Sequence, residues 1–369
     1  MNLGLKLKFL LTGFVALSIQ SCITKDIVYL IRDDSSDYND QFWAKADLNQ
    51  RLCIWNKHWE PNTWLMVKQL LEKTTNYEFR TPPSSDRLQM FAEFQKPECK
   101  WVIDGTYNLP FSYNLDPTQY QWLLDKMGVI VFEPVVVADW VWKPEFHARV
   151  AQVFTWDDSY IDNQKYFLMR YPFYSGAQMV EPLPFEKKKL CCFINGNKGS
   201  RHSQSLYEKR REDVEIWDKH YSSDFDFYGT DWSRSEYRTF KNEVPGHLKV
   251  PTLRKYRFCL CYENMNNVCG WVTEKMFNCL EAGCVPVYMG VKNIDQFVPR
   301  NCYVAREQFE SNEHLHRYLK NMSKAEYEQY LENIRVYLKS DQPKEFGYER
   351  FAEYIVAGIV AKIGDGYAK

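Results

Sequence analysis

Glu274 and Lys275 stand side by side in VTEKMFNCLEAGCVPVYMG, a short loop after the pair Glu263-Asn264. An acid, a base and a carboxamide at one place suit a phosphorylated sugar: the cation meets phosphate, and the carboxylate accepts hydrogen bonds from hydroxyls. The surrounding pattern says how they are positioned. Phe258–Tyr262 is continuously apolar, as in a parallel strand covered on both faces, and it delivers Glu263-Asn264 to the carboxyl edge where open α/β sheets bind ligands. Thr273 then serves as an N-cap, Met276, Phe277 and Leu280 share one helical face, and Gly283 ends the helix. Glu274 and Lys275 fall in its first turn, where free N–H groups and the helix dipole favour an anion such as a diphosphate. The plainer alternative is a solvated face made of Glu274, Asn278 and Glu281.

Three further groups carry potential chemistry. Asn195-Gly196-Asn197-Lys198-Gly199-Ser200-Arg201 lies between a strand and a helix, where glycines let backbone amides approach phosphate and Arg201 can bind it bidentately. A surface loop with a solvated arginine is the alternative, and Arg210 and Arg211 are expected to be exposed. No G-x-G-x-x-G run is present, which counts against a dinucleotide cofactor. Val129–Phe132 reads as a buried strand delivering Glu133, held extended by Pro134; Glu133 is the candidate general base, with Glu145 and Glu181 in reserve. Asp224-Phe225-Asp226 has a metal-binding form but reads better as the polar entrance of a strand, so no metal site is assigned.

The order E-N, V-T-E-K, A-G-x-V-P-V-Y-x-G resembles the signature of the α1,3/α1,4-fucosyltransferases, glycosyltransferase family 10. The resemblance implies a GT-B fold, two Rossmann-like domains facing a central cleft. It implies an inverting transfer of L-fucose from GDP-β-L-fucose to an N-acetylglucosamine or glucose hydroxyl of a glycan, in α1,3 linkage. By the same match Arg201 is the donor-phosphate arginine, Asn264, Trp271, Glu274 and Lys275 are donor-binding, and the base comes from a strand end corresponding to Glu133. Trp271 departs from the tyrosine common in the family and lacks its hydroxyl. No cofactor is required on this reading, which leaves room for stimulation by Mn or Mg. The partners are GDP-fucose and an oligosaccharide or glycoconjugate acceptor. A transferase of this architecture using another nucleotide-sugar, and an inactive glycan-binding relative, are the rival readings.

Composition agrees with an enzyme of carbohydrates. The 369 residues suffice for two cores, and 47 basic against 48 acidic side chains leave a formal charge of −1, which argues against a nucleic-acid partner. Aromatics make up 16% of the chain, including 12 Trp and 25 Tyr, and such rings suit sugar faces. The 11 cysteines fall mostly inside expected strands or a helix and lack zinc spacing, so they read as buried thiols. Lys6, Lys8 and the apolar run Phe9–Ile19 form a leader too short for a comfortable span. Residues 1–22 are therefore a signal peptide, a lipoprotein leader ending at Cys22, or a short membrane anchor. Each places the protein at a membrane: the secretory pathway or Golgi in a eukaryote, the cell envelope in a bacterium.

Strands alternating with helices predict parallel sheets. The expected order is a strand over 27–31, a helix over 62–73, a strand over 101–103, a helix capped by Asp116 with Gln119 in a capping box and broken by Gly128, then the strand to Glu133. Prolines 172, 182 and 184 and Lys187–Lys189 suggest a linker. The expected domains are 23–172 for the acceptor, a linker over 173–189, 190–340 for the donor, and a C-terminal helix within 341–369 packing back on the first domain. Strands are expected over 190–194, 225–228 and 302–304, and helices over 203–218, 312–319, 324–338 and 348–363.

Overall fold

The computed structural model describes residues 25–47, 59–106, 109–174 and 176–364; the leader and Cys22 lie outside them. Short apolar runs separated by amphipathic helices build two sheets, all of whose strand pairs are parallel. The first contains β1 (Asp26–Ile31), β2 (Tyr77–Arg80), β3 (Cys99–Asp104), β4 (Met127–Val131), β5 (Gln152–Thr155) and β6 (Tyr166–Leu168) in the order β2-β1-β3-β4-β5-β6. Its connections carry α1 (Trp59–Thr74), α2 (Arg87–Gln95), α3 (Pro110–Tyr113), α4 (Pro117–Leu124) and α5 (Pro144–Arg149).

The second sheet contains β7 (Lys189–Ile194), β8 (Phe225–Tyr228), β9 (Tyr256–Tyr262), β10 (Val285–Met289) and β11 (Val304–Ala305), ordered β11-β10-β9-β7-β8. Around it lie α6 (Tyr207–His220), α7 (Lys249–Leu253), α8 (Glu274–Glu281), α9 (Asn312–Asn321) and α10 (Lys324–Lys339). The chain moves outward from β7 to β8 and then returns to β9 on the other side of β7. That reversal opens a crevice at the carboxyl ends of β7 and β9, where such sheets bind ligands.

The last helix, α11 (Tyr348–Ile363), returns to the first half. Its Phe351 meets Trp64 of α1 edge-on at 5.6 Å, and Gln152 of β5 donates to the Gly358 carbonyl at 2.7 Å. Phe351, Ile355 and Ile359 are wholly buried, each contributing about 1.5–3 kcal/mol by burial. The apolar stripe of this helix is thus spent inside the molecule. No helix of the described residues is long and apolar enough to cross a membrane.

Several sequence expectations shift. Gly128 does not break a helix; it sits within β4, paired with Ile103, and α4 stops earlier, at Leu124. A side chain at Gly128 would press on Ile103 and Trp101, so packing explains the glycine. Asp116 caps α4 through Thr118 rather than through a box with Gln119. The helix expected from Ser203 begins at Tyr207, because Leu206 N–H donates to the Asn264 carbonyl and Ser205 bridges Met265. The strand expected over 302–304 is only Val304–Ala305. Short β2, β5 and β6 escape the sequence reading because their alternation spans too few residues to stand out.

Candidate active site

A cleft of about 590 Å³ runs between the two sheets, within the range of small-molecule sites. From the first half it is lined by Phe132, Glu133 and Val137, and from the connecting segment by Tyr171 and Phe173. Asn195, Arg210, Asn264, Trp271, Glu274 and Lys275 line the opposite wall. A larger groove of about 1050 Å³ beside α10 and α11 contains none of these groups.

The acid–base pair sits where the pattern put it. Thr273 caps α8 by accepting from Lys275 N–H, so both side chains occupy the first turn. The solvated-face alternative fails: Glu274 is 8% exposed and Glu281 6%. Lys275 Nζ lies 3.3 Å from Glu263 and 3.9 Å from Glu274, and Lys249 Nζ is 3.6 Å from Glu274. Burial alone would raise the Glu274 pKa, but Lys275 and Lys249 hold it below the usual carboxylate value. Burial likewise opposes the Lys275 charge, yet Glu274 and Glu263 raise its pKa above the ordinary lysine value. Both groups are therefore ionised at neutral pH.

Glu263 has a role that its position at the strand end did not reveal. It is wholly buried and turns inward, accepting from Thr273 N–H at 3.0 Å and from Thr273 Oγ1 at 2.8 Å. It thereby ties the end of β9 to the start of α8. A buried carboxylate needs such partners to be tolerated.

The structure separates the two arginines, and the expected exposure of Arg210 is corrected. Arg201 is exposed and does not line the cleft. Arg210, expected on the surface, is 2% exposed and does line it. Its Nη2 donates to the Tyr262 carbonyl at 2.6 Å and to Asn264 Oδ1 at 3.1 Å, while its guanidinium lies over the Tyr207 ring. Its buried Nε has no partner among the described residues. Burial pushes the Arg210 pKa down to about 10, which still leaves a full charge at neutral pH. The signal was present in the sequence: Arg210, Val214 and Trp217 follow a helical period and form one face of α6, and the other two are wholly buried. Arg211 is half-buried and donates to the Lys198 carbonyl, bracing the loop after β7.

On the facing wall, Glu133 follows the end of β4, and two indoles fix its backbone. Trp142 Nε1 donates to the Glu133 carbonyl at 2.8 Å and Trp156 Nε1 to the Phe132 carbonyl at 3.0 Å. Charges from both halves converge on Tyr207: burial raises its phenol pKa, Arg210 and Lys275 oppose the rise, and Glu133 adds to it. Trp271 is 3% exposed, 4.9 Å between centroids from Trp156, and its buried Nε1 has no hydrogen-bond partner among the described residues. Beside it Gly270 has φ +89°, and a Cβ there would lie 2.2 Å from the Trp156 carbonyl, so only glycine lets the halves approach this closely. Glu145 and Glu181 are exposed and line no part of the cleft.

Asp224 and Asp226 are engaged by cations already on the chain. Asp224 pairs with His316 and Lys320, and Asp226 with Lys189 and Lys241. No group of three or more metal-ligating side chains occurs among the described residues. Nine cysteines of the described residues are free thiols, eight of them buried.

Known proteins extend this geometry. Residues 184–346 match the family described as glycosyltransferase family 10 (fucosyltransferase) C-terminal. Among curated relatives, the 4-galactosyl-N-acetylglucosaminide 3-alpha-L-fucosyltransferase 9 of Bos taurus is 30% identical over 151 residues, 39% of this chain and 37% of the relative. The Homo sapiens protein of that name is 29% identical over the same span. The match thus covers little more than a third of these relatives' length. Among solved structures, an alpha1,3-fucosyltransferase with GDP aligns over 94% of this chain and 93% of its own, with TM-score 0.51 and 11% identity. A DNA-modifying beta-glucosyltransferase aligns over 90% of this chain and 99% of its own, with TM-score 0.52 and 10% identity. At these identities the likeness speaks to the fold, which is GT-B.

Proposed function

We propose that this chain, whose residues 184–346 match glycosyltransferase family 10, is an inverting fucosyltransferase that moves L-fucose from GDP-β-L-fucose to an N-acetylglucosamine or glucose hydroxyl of a glycan, in α1,3 linkage. One observation carries the reading: a single cleft holds a carboxylate, Glu133, on one wall and Arg210, Glu274 and Lys275 on the other. The diphosphate lies against Lys275, Arg210 and the start of α8, where cations and helix N–H groups converge. Arg210 takes the role that the sequence resemblance gave to Arg201. Asn264 and Glu274 orient ribose or fucose hydroxyls, and Trp271 packs against the donor.

Transfer then proceeds by in-line displacement. The acceptor oxygen forms a bond to the anomeric carbon on the face opposite the diphosphate and gives its proton to Glu133. The bond between the anomeric carbon and the β-phosphate oxygen breaks, and its electron pair leaves with GDP. Arg210 and Lys275 stabilise that charge more strongly as it develops, which is the condition for accelerating the step. These two cations supply the charge that a divalent ion would otherwise bring, so turnover is expected to persist in EDTA. Membrane association through residues 1–22 belongs to the same proposal.

Calorimetry of the whole chain with GDP and with UDP, followed by turnover of GDP-fucose on N-acetyllactosamine and on a glycan array, tests the reading. Binding of GDP with release of GDP only when acceptor is present supports it. Preference for UDP, or GDP binding with no turnover on any acceptor, overturns it in favour of another donor or an inactive relative.

A further inference from the structure

The same cleft is also lined by Thr230, Glu243, Val244, Pro245 and Gly246. Its backbone is fixed at both ends. Residues 239–242 run beside β8: Phe227 N–H donates to the Thr239 carbonyl, Lys241 N–H to the Phe227 carbonyl, and Gly229 N–H to the Asn242 carbonyl. Gly229 itself has φ +146°, and a Cβ there would stand 1.9 Å from the Asn195 carbonyl, so the end of β8 can lie against the loop after β7 only as glycine. After Gly246 the chain turns through a 3₁₀ segment into α7, whose Lys249 reaches Glu274. Glu243 is thus held at the carboxyl edge of the sheet by a ladder on one side and a helix on the other.

Carboxylates on the donor side of this cleft divide into two kinds. Glu263 is engaged by Thr273 and Lys275, and Glu274 by Lys249 and Lys275. Glu243 is exposed and has no side-chain partner among the described residues. With phosphate against Lys275 and Arg210 and sugar toward Glu133, the stretch Glu243–Gly246 gives the base a wall of the same cleft. A purine there meets the flat apolar sides of Val244 and Pro245 and presents its Watson–Crick edge to a carboxylate.

We propose that Glu243 is the residue that selects guanine, accepting the base's N1–H and N2–H donors with its two carboxylate oxygens. The proposal deepens the fucosyltransferase reading and rests on its GDP donor. Guanine is the one common base with two adjacent donors on that edge, a match to a bidentate acceptor. Adenine presents a bare N1 lone pair there, and uracil flanks its single N3–H with two carbonyls, so both set lone pairs against the carboxylate. Glu243 therefore both attracts the right base and repels wrong ones.

Calorimetry of the whole chain with GDP, inosine diphosphate and UDP tests this. Inosine diphosphate lacks only the 2-amino group, so it reports on one of the two hydrogen bonds. The wild-type protein is expected to bind GDP about 10-fold more tightly than inosine diphosphate, the worth of one charge-assisted bond at a solvated site. Glu243→Ala is expected to weaken GDP binding about 10- to 100-fold, bring the GDP and inosine diphosphate affinities within about twofold, and leave UDP binding unchanged or tighter. Glu243→Gln, which turns an amide N–H₂ toward the guanine donors, is expected to lose the same preference. An unchanged melting temperature confirms that both variants fold. A Glu243→Ala protein that retains the wild-type preference for GDP over inosine diphosphate overturns the assignment while leaving the donor reading intact. Failure of the wild-type protein to bind GDP at all overturns the reading beneath it.

Discussion

The two walls of the cleft are built on opposite electrostatic plans. The C-terminal wall is a tight polar network in which Lys249 and Lys275 share the buried carboxylates of Glu263 and Glu274, and Arg210 donates to the Tyr262 carbonyl and to Asn264. The N-terminal wall is rich in aromatics, with Phe132, Tyr171 and Phe173 lining it together with Glu133, whose backbone is pinned by two indole N–H groups. Tyr171 and Phe173 stack with centroids 4.1 Å apart. The first design suits a charged leaving group whose position must not vary; the second suits the apolar faces of sugars, whose identity can vary without recharging the wall. On the proposed function, the difference makes phosphate binding and acceptor choice separable.

Mutations can break that separation. The largest effect is expected from Glu133→Gln, which keeps the shape and removes the proposed base: kcat falls about 10²- to 10⁴-fold, with the GDP dissociation constant within about twofold of wild type by calorimetry. An equal loss of GDP binding would mean that the walls are not independent. Lys275→Ala comes next and should act on the other wall in two ways. GDP affinity falls, and stability drops by about 3–5 kcal/mol, because Glu263 is left buried without its cation while Glu274 keeps only Lys249; urea melts measure the second effect.

A smaller effect comes from acid. The Glu274 pKa is depressed in the folded protein, so its contribution to stability is fully present above the ordinary carboxylate pKa and is lost as pH falls through the folded value. Melting temperature should therefore be flat near neutrality and decline in acid, and Glu274→Gln should flatten part of that decline. The least change is expected from Arg201→Ala, with GDP affinity within about twofold of wild type. A tenfold loss there would return the phosphate role to the exposed loop.

How much of this could be read in advance differs between the walls. The segment from Glu263 to Gly283 was legible because its signals are local: a continuous apolar strand, an N-cap, a helical stripe and a glycine stop lie within a few turns of one another. The path to Glu133 was also visible, although Gly128 misled, since a glycine inside a strand and one after a helix look alike until the neighbouring strand is known. Arg210 was misplaced because a charged residue in a polar helix is usually solvated, and only its period with Val214 and Trp217 hinted otherwise. Lys249 and Glu243 carried no sequence signal, for each acts on a partner or a space supplied by a distant segment.

The sequence by itself determined the local grammar: parallel strands, helix starts and the adjacency of Glu274 and Lys275, all fixed by periodicity and capping over short stretches of chain. Only the tertiary structure decided which arginine reaches the cleft, that Glu263 turns inward to tie β9 to α8, and that Glu133 faces the cations from the other half. The physical reason is that burial and electrostatic partnership are properties of space. They depend on where two sheets and a returning C-terminal helix bring side chains together, and no spacing along the chain records that distance.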